Sequence, residues 1–522
     1  MPEKSLQNTK KIIDSISTSF CAAKWYNVSI WLGNGRTASC HHPLAHSIPK
    51  GELLENKTAL HNTKFKKEQR KKMLEGERPA ECSYCWRVED AAEKDSGIFS
   101  DRVYQTYRYT DEEVKAIQKM PWDANVIPKT VELAFDNLCN LACSYCNAEF
   151  SSTWHQDISR GGPYQNMKTS GGFTFKNTGH HAMPYGNKNI NNPYIEKFYE
   201  WFEEIRGGLQ ELRVSGGEPA RSPSFWQLLE MCDNETFNFA VNSNLIMEDE
   251  RMDTLLDAAK NFKAFDLYTS AECIGKEQEF VRDGFEWDTW EKNILRAYHS
   301  ENVRDVHIMM TISALSVWSV DEFLQKIINW RKEFDDKDAF YMSVNILRFP
   351  SFQSIVTLPK EIRLERADAI EKWINDNWDD EKNGFIQWEK DSMTRLVTYI
   401  REVSTGHAFT SSLESRERDF KSFYTQYDMR RGKNFLEAFP MLKEWWDSIP
   451  ETNIAPLKGL VDGDDAKSNR YVDEVLDTAK KEGWVLDPQW ANPGAQDYVE
   501  PEDDVDNMQN EMMDFINDKD DE

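Results

Sequence analysis

The sequence predicts an α/β protein built on a partial barrel of six strand–helix units. Two observations carry this expectation. Between residues 126 and 350, short β-rich runs alternate with amphipathic helical stretches, the pattern of parallel strands joined by crossover helices. Six such units suit an incomplete barrel better than an open sheet, and either form binds ligands at the C-terminal ends of its strands. A third observation places chemistry at that end: three cysteines, Cys139, Cys143 and Cys146, follow directly on the first strand of the series.

The expected strands are Val131–Phe135, Glu211–Ser215, Asn238–Asn242, Phe265–Thr269, His307–Ile312 and Tyr341–Ile346. Between them lie helical stretches at Pro193–Glu204, Pro223–Met231, Glu248–Asn261, Trp287–His299 and Val320–Phe334, each with apolar residues at helical spacing. Arg160–Asn192, rich in Gly, Asn and Lys, reads as a long loop near the active face. Residues 1–125 form a small cysteine-rich α+β domain, with β-like Tyr26–Leu32 and a basic helix from Lys64 to Glu75. Residues 351–490 read as mainly helical, with Glu361–Asn377, Phe385–Val403 and Pro440–Ser448 the clearest stretches. Residues 491–522 read as an acidic, disordered tail.

The chain has 522 residues, 39% hydrophobic, with 18 Trp, 18 Tyr and 28 Phe, enough for a large core. A net charge of −27 argues against a general nucleic-acid surface. Eleven acidic residues and one lysine follow from Glu500 onward. No apolar run reaches membrane-spanning length and the start has no signal-peptide core, so a cytoplasmic location is expected. In that compartment the nine cysteines read as metal ligands or free thiols rather than disulfides. Seven fall into two groups: Cys21, Cys40, Cys82 and Cys85, then Cys139, Cys143 and Cys146.

The CxxxCxxC spacing closes a compact loop. Three thiolates can hold three irons of a [4Fe–4S] cube and leave the fourth open to a small molecule. A structural zinc loop usually takes four ligands, and the nearest further candidate, His155, lies nine residues on. After the second strand comes Ser215-Gly216-Gly217-Glu218-Pro219, where two glycines permit close backbone approach and Glu218 supplies an acceptor for an ammonium group.

From Lys129 to Pro350 the chain resembles the radical S-adenosylmethionine (SAM) superfamily, on the cysteine loop with Tyr145 before its last cysteine and on Gly216, Gly217, Glu218 and Pro219. The resemblance implies a radical SAM partial barrel. It implies a [4Fe–4S] cluster on Cys139, Cys143 and Cys146 whose open iron chelates the amino and carboxylate groups of SAM. It puts Gly216, Gly217 and Glu218 by the methionine amino group and Tyr145 by the adenine. It also implies SAM-facing roles for Asn242 and Ser243 in the third strand's polar turn, for Ser270 and Glu272 near the ribose, and for Arg282 on the carboxylate. Asn244 closes the same turn as Asn242.

The segments FCAAKWYNVSIWLGNGRTASCHHP and GERPAECSYCWRVED resemble the auxiliary-cluster domains called SPASM and Twitch. This second resemblance implies a further [4Fe–4S] cluster on Cys21, Cys40, Cys82 and Cys85, here placed before the barrel instead of after it. A zinc site is the alternative for these four cysteines, and His41, His42 and His46 are nearby substitutes as ligands. Together the resemblances imply reductive cleavage of SAM and hydrogen abstraction from a peptide or protein undergoing oxidative modification. They also imply a flavodoxin- or ferredoxin-like electron donor. Action on a small molecule, or a non-catalytic zinc-stabilised module, are the alternatives. No catalytic residue is assigned beyond Cys273, a candidate by its place near the active face. Cys232 reads as a core residue, Trp445 and Trp446 as packing, and Arg430 and Arg431 as a solvated basic turn.

Overall fold

All six predicted strands form within two residues of their expected bounds. In the computed structural model, which describes residues 5–91, 99–176, 192–377, 385–402, 411–451 and 454, the strands are β1 Asn27–Trp31, β2 Arg36–Ala38, β3 His46–Ser47, β4 Thr130–Ala134, β5 Ala142–Cys143, β6 Glu211–Ser215, β7 Asn238–Asn242, β8 Ala264–Ser270, β9 Arg282–Asp283, β10 Asp305–Ile312 and β11 Tyr341–Ile346. Among the described residues, nine make one sheet in the order β11-β10-β8-β7-β6-β4-β1-β2-β3, while β5 and β9 pair with each other. The expected acidic tail, and half of the Arg160–Asn192 loop, lie outside the described residues. The described residues belong to one compact unit, Met1–Leu460.

The first part of the chain enters the sheet instead of standing beside it. β1 pairs in parallel with β4, from Asn27 against Thr130 to Trp31 against Ala134. The sheet therefore has seven parallel strands, not six, and it crosses residue 125. The reason is legible in β1 itself: Val28 and Ile30 alternate with Asn27 and Ser29, and both apolar residues join the main hydrophobic cluster. β2 returns antiparallel to β1, and β3 follows on its outer side.

Parallel strands covered on both faces are usually apolar throughout. Here they alternate. Val131, Leu133, Leu212, Val214, Phe239, Val241, Leu267, Ile308, Met310 and Ile312 are buried on the face that carries the crossover helices. Glu132, Arg213, Ser215, Asn242, Tyr268, Ser270, His307 and Met309 point the other way and are half-buried. That pattern gives the sheet a polar face opposite the crossover helices. The edge at β11 is closed by the helix Gln387–Glu402. Glu389 accepts the Met342 N–H (3.0 Å) and Arg395 donates to the Val344 carbonyl (3.4 Å), so side chains of this helix take up edge groups of β11.

The crossover helices match expectation closely, for example Pro193–Ile205 with its proline in the first turn and Asn192 capping Tyr194 N and Ile195 N. The longest helix, Leu413–Arg431, lies outside the expected stretches. Its Phe420, Phe423, Tyr424 and Tyr427 have the i, i+3, i+4, i+7 spacing of a core stripe, but Arg416, Asp419, Lys421 and Gln426 are buried too, which flattens the amphipathic signal. Buried Asp419 accepts from Lys168 N (2.8 Å), Thr169 N (2.7 Å) and Thr169 Oγ1 (2.7 Å), tying down the described part of the 160–192 loop. Arg430 and Arg431 are not a solvated turn. Arg430 pairs with Asp157 (3.3 Å) and lies over the Tyr164 ring; Arg431 pairs with Asp283 (3.1 Å) and lies over Trp154 and Tyr427.

A second, smaller core holds Ile13, Phe20, Trp25, Tyr26, Met73, Trp86, Val103, Tyr109 and Ile117, with Cys21 and Cys82 packed against it. Four buried basic side chains clamp the carbonyls of residues 20–27. Arg102 donates to Phe20 O (3.0 Å), Arg70 to Lys24 O (3.0 Å), His61 Nε2 to Trp25 O (2.7 Å) and Lys66 to Asn27 O (3.0 Å). The Lys66 nitrogen also lies 2.8 Å from His61 Nδ1, and burial with the neighbouring Arg70 and Lys24 lowers the Lys66 pKa well below its ordinary value. His46 is buried against Thr63 and Phe65, and burial pushes its pKa from 6.5 to about 3. Burial and the neighbouring Lys66 and Arg70 push His61 down as well.

Both folded-state values lie below the unfolded value. The unfolded chain therefore takes up protons first, and stability is complete above pH 6.5 and falls as pH drops from 6.5 toward 3. Melting curves between pH 8 and pH 4 should show this loss, and His46→Gln should reduce it. An identical pH slope in the variant would remove His46 as a cause.

Candidate functional site

Adjacent parallel strands deliver their C-terminal loops side by side. The order β4-β6-β7-β8 brings together the cysteine loop after β4, Gly216–Pro219 after β6, Asn242–Asn244 after β7 and Ser270–Glu272 after β8. The predicted residues thus meet at one end of the sheet.

The cysteine loop is held from both sides. Ser152 Oγ accepts Cys139 N (3.1 Å), Thr153 donates to Cys139 O (2.6 Å), Ser151 donates to Leu141 O (2.7 Å) and the Trp154 indole donates to Cys143 O (2.9 Å). These four side chains open the helix Ser152–Gly161, so helix capping and loop bracing use the same run. From the far side, Gln353 donates to Ser144 O (2.8 Å) and Tyr424 reaches Ser144 Oγ (3.3 Å), while the Tyr427 hydroxyl lies 3.2 Å from Ala142 O. Sequence reasoning misses this bracing. The Ser151-Ser152-Thr153 run is a visible capping signal, whereas Gln353, Tyr424 and Tyr427 sit more than 200 residues from their partners.

The glycine turn is pressed against the same loop. Glu218 N donates to Leu138 O (2.6 Å). A Cβ on Gly217 would stand 2.4 Å from Leu138 O and 2.7 Å from Asn137 C, and Gly216 has φ +126°, so only glycine fits both positions. The Glu218 carboxylate is buried and accepts from Ala220 N (3.1 Å), Ser243 Oγ (2.8 Å) and Asn244 N (2.6 Å). Burial outweighs those donors and raises its pKa. Asn244 also donates to Asn140 Oδ1 (2.9 Å), a second link between the third strand's turn and the cysteine loop. Ser243 thus serves Glu218 here, and Asn242 stays on the polar face, 3.6 Å from Met309 Sδ. Ser270 lies half-buried on that face.

Arg282, Glu272 and Tyr145 form a buried cluster beside Cys143. Glu272 binds Arg282 at 3.0 Å (Nε) and 2.9 Å (Nη2), and accepts the Tyr145 hydroxyl at 2.9 Å. Arg282 Nη1 lies 3.8 Å from Cys143 Sγ. Cys273 is fully buried, and burial and neighbouring Glu272 and Glu277 push its thiol well up. Cys232 is buried at the end of helix Pro223–Met231.

The three thiols of the loop suit a soft, cationic metal centre. Burial is the main cause that raises each of them, Cys146 to about 12, and Cys139 and Cys146 each feel Cys143 as a second cause. Arg282 lowers Cys143 and Cys146 in part, and buried thiols still held up by burial are what a bound cation converts to thiolates. Leu141 N already points at Cys139 Sγ (3.4 Å).

The second group also converges. Cys21, Cys40, Cys82 and Cys85 line one cavity with Lys24, Ser39, His42 and Met73. Burial raises all four thiols, Cys40 to about 11 and Cys85 to about 12; repulsion from neighbouring cysteines adds to it at Cys21, Cys40 and Cys85, while Lys24 lowers Cys82. β1 and β2 form a hairpin between Cys21 and Cys40. Lys24, almost wholly buried, pairs with Glu81 at the edge of this cavity. A four-thiolate set fits a fully ligated [4Fe–4S] cluster and a zinc ion alike. His41 and His42 meet Asp101 beside it.

No helix of the described residues is long and apolar enough to cross a membrane. No family model matches the sequence, and no curated protein matches it. Several solved structures are similar. One is SuiB of Streptococcus suis bound to S-adenosylmethionine, at 16% identity and TM-score 0.31, over 61% of this chain and 60% of that one. Another is anSMEcpe with bound AdoMet, at 14% identity and TM-score 0.32, over 62% of this chain and 99% of that one. A third is SuiB bound to the precursor peptide SuiA, at 13% identity and TM-score 0.30, over 68% of this chain and 69% of that one. The chain thus spans about 60% of SuiB in the first of these alignments.

Proposed function

We propose that this chain is a radical SAM enzyme with a partial barrel and an N-terminal auxiliary cluster domain. The observation that carries the reading is the interlock of the three-cysteine loop with the glycine turn: Gly217 packs on Leu138, and Glu218 is held by Ser243 and Asn244. The buried Glu218 carboxylate accepts three hydrogen bonds there, from Ala220 N, Ser243 Oγ and Asn244 N, and so ties the glycine turn to the loop after β7.

Cys139, Cys143 and Cys146 would hold a [4Fe–4S] cluster, and Cys21, Cys40, Cys82 and Cys85 a second one. When bound and reduced, such a cluster supplies the electron that splits SAM into methionine and a 5′-deoxyadenosyl radical. The chain's own residues do the rest. Glu218 offers a buried acceptor for the methionine ammonium group, and Tyr145 presents a ring beside the cysteine loop for the adenine. The polar face provides Ser270, Asn242, Arg213 and Glu132 toward the substrate. The proposed substrate is a peptide or protein that undergoes oxidative modification; Cys273, fully buried, is left out of the chemistry. A flavodoxin- or ferredoxin-like protein is the proposed donor.

The test is anaerobic reconstitution of the full chain. A brown protein with broad absorption near ~400 nm and about eight irons is expected, releasing 5′-deoxyadenosine once reduced with SAM. A colourless protein holding only zinc would sink the enzyme reading. Zinc on the four cysteines in place of the second cluster would instead give about four irons per chain.

A further inference from the structure

The resemblance assigns Arg282 to the SAM carboxylate and Glu272 to the ribose, but the geometry binds them to each other. Glu272 is 0% exposed and takes two guanidinium nitrogens and the Tyr145 hydroxyl. The nitrogen left over, Nη1, is the one 3.8 Å from Cys143 Sγ. Backbone pairing sets this approach, because Cys143 and Arg282 are register partners in the two-stranded β5–β9 ribbon. The ribbon is itself anchored: Ser144 N donates to Val281 O (2.7 Å), and Arg431 and Lys433 pair with Asp283.

We propose that the Arg282–Glu272 pair sets the reduction potential of the centre on Cys139, Cys143 and Cys146, with Arg282 as an N–H donor to the Cys143 sulfur and Glu272 as the group that aims and partly neutralises it. The inference rests on the radical SAM reading above. A buried ion pair is a weak source of stability compared with well-packed apolar residues, so a role beyond stability accounts for its presence. Hydrogen bonds to cluster sulfurs and nearby charge are principal controls of cluster potential. A donor and positive charge at the sulfur favour the reduced centre, which carries one more negative charge; a carboxylate nearby opposes it. The two residues therefore act with opposite signs.

The experiment is a dye-mediated redox titration of the reconstituted full chain followed by electron paramagnetic resonance, reading only the signal that changes when SAM is added. Arg282→Gln should move the midpoint to more negative potential, Arg282→Lys should recover part of the shift, and Glu272→Gln should move it to more positive potential. SAM affinity of the Arg282 variants should stay within about twofold of the unmodified chain. An unchanged midpoint in Arg282→Gln together with SAM binding weakened about tenfold or more would overturn the inference and return Arg282 to the SAM carboxylate. Should Arg282→Gln fail to fold, the opposite shifts of Arg282→Lys and Glu272→Gln decide the matter, and shifts of the same sign refute it. An unmodified chain with no SAM-sensitive signal refutes the radical SAM reading itself, a distinct outcome.

Discussion

Replacing Cys143 with alanine is expected to abolish release of 5′-deoxyadenosine, by a factor of about 10³ or more, equivalent to about 4 kcal/mol at the transition state. Iron should fall from about eight to about four per chain, because three thiolates are the minimum that retains a cube with one open corner. The protein should still fold. Cys143 is buried in a two-residue strand whose ladder with Arg282 is made by the backbone, and losing its sulfur together with the 3.8 Å contact to Arg282 Nη1 costs on the order of 1–2 kcal/mol. Liquid chromatography of the reduced reaction with SAM, alongside an iron assay and a melting curve, checks all three. Undiminished deoxyadenosine from this variant would disprove the cluster assignment. Cys82→Ala is the companion: it should keep SAM cleavage and lose product.

Replacing Gly217 with alanine should damage the same site without touching a ligand. The added methyl would stand 2.4 Å from Leu138 O and 2.7 Å from Asn137 C, both backbone atoms that cannot swing aside. Overpacking of this kind costs on the order of 2–3 kcal/mol, and here relief comes only by shifting the chain that leads into Cys139. The expected result is loss of the three-cysteine iron, weakened SAM binding and retention of the four-cysteine site. Gly207, where an added methyl would meet nothing within 4 Å, is the control: alanine there should be tolerated. A Gly217→Ala protein with full iron and normal SAM binding would show that the glycine turn and the cysteine loop do not act as one unit.

Much of this is legible in the chain. Six strands, five crossover helices and the Cys139–Cys146 loop can be marked from period and spacing, since each is written in fewer than about twenty consecutive residues. Tyr26–Leu32 reads as β-like, but nothing local says that its strand, Asn27–Trp31, pairs in parallel with Thr130–Ala134 rather than forming a sheet of its own. Leu413–Arg431 escapes such a reading because a helix buried nearly all round, with Arg416, Asp419 and Lys421 inside, has little contrast between its faces. Arg430 and Arg431 look like surface charges for the related reason that Asp157 and Asp283 are remote in sequence.

Residue type and short-range spacing were enough to mark the strands, the crossover helices, the three-cysteine loop and the glycine turn, because those are properties of neighbours along the chain. Folding in three dimensions alone determined that Glu218 is held by Ser243 and Asn244, that Glu272 claims Arg282, and that Arg282 meets Cys143 across 139 residues. A buried charge must find its partner when loops from separate strands converge, and periodicity records that a residue is buried but not which distant group it faces.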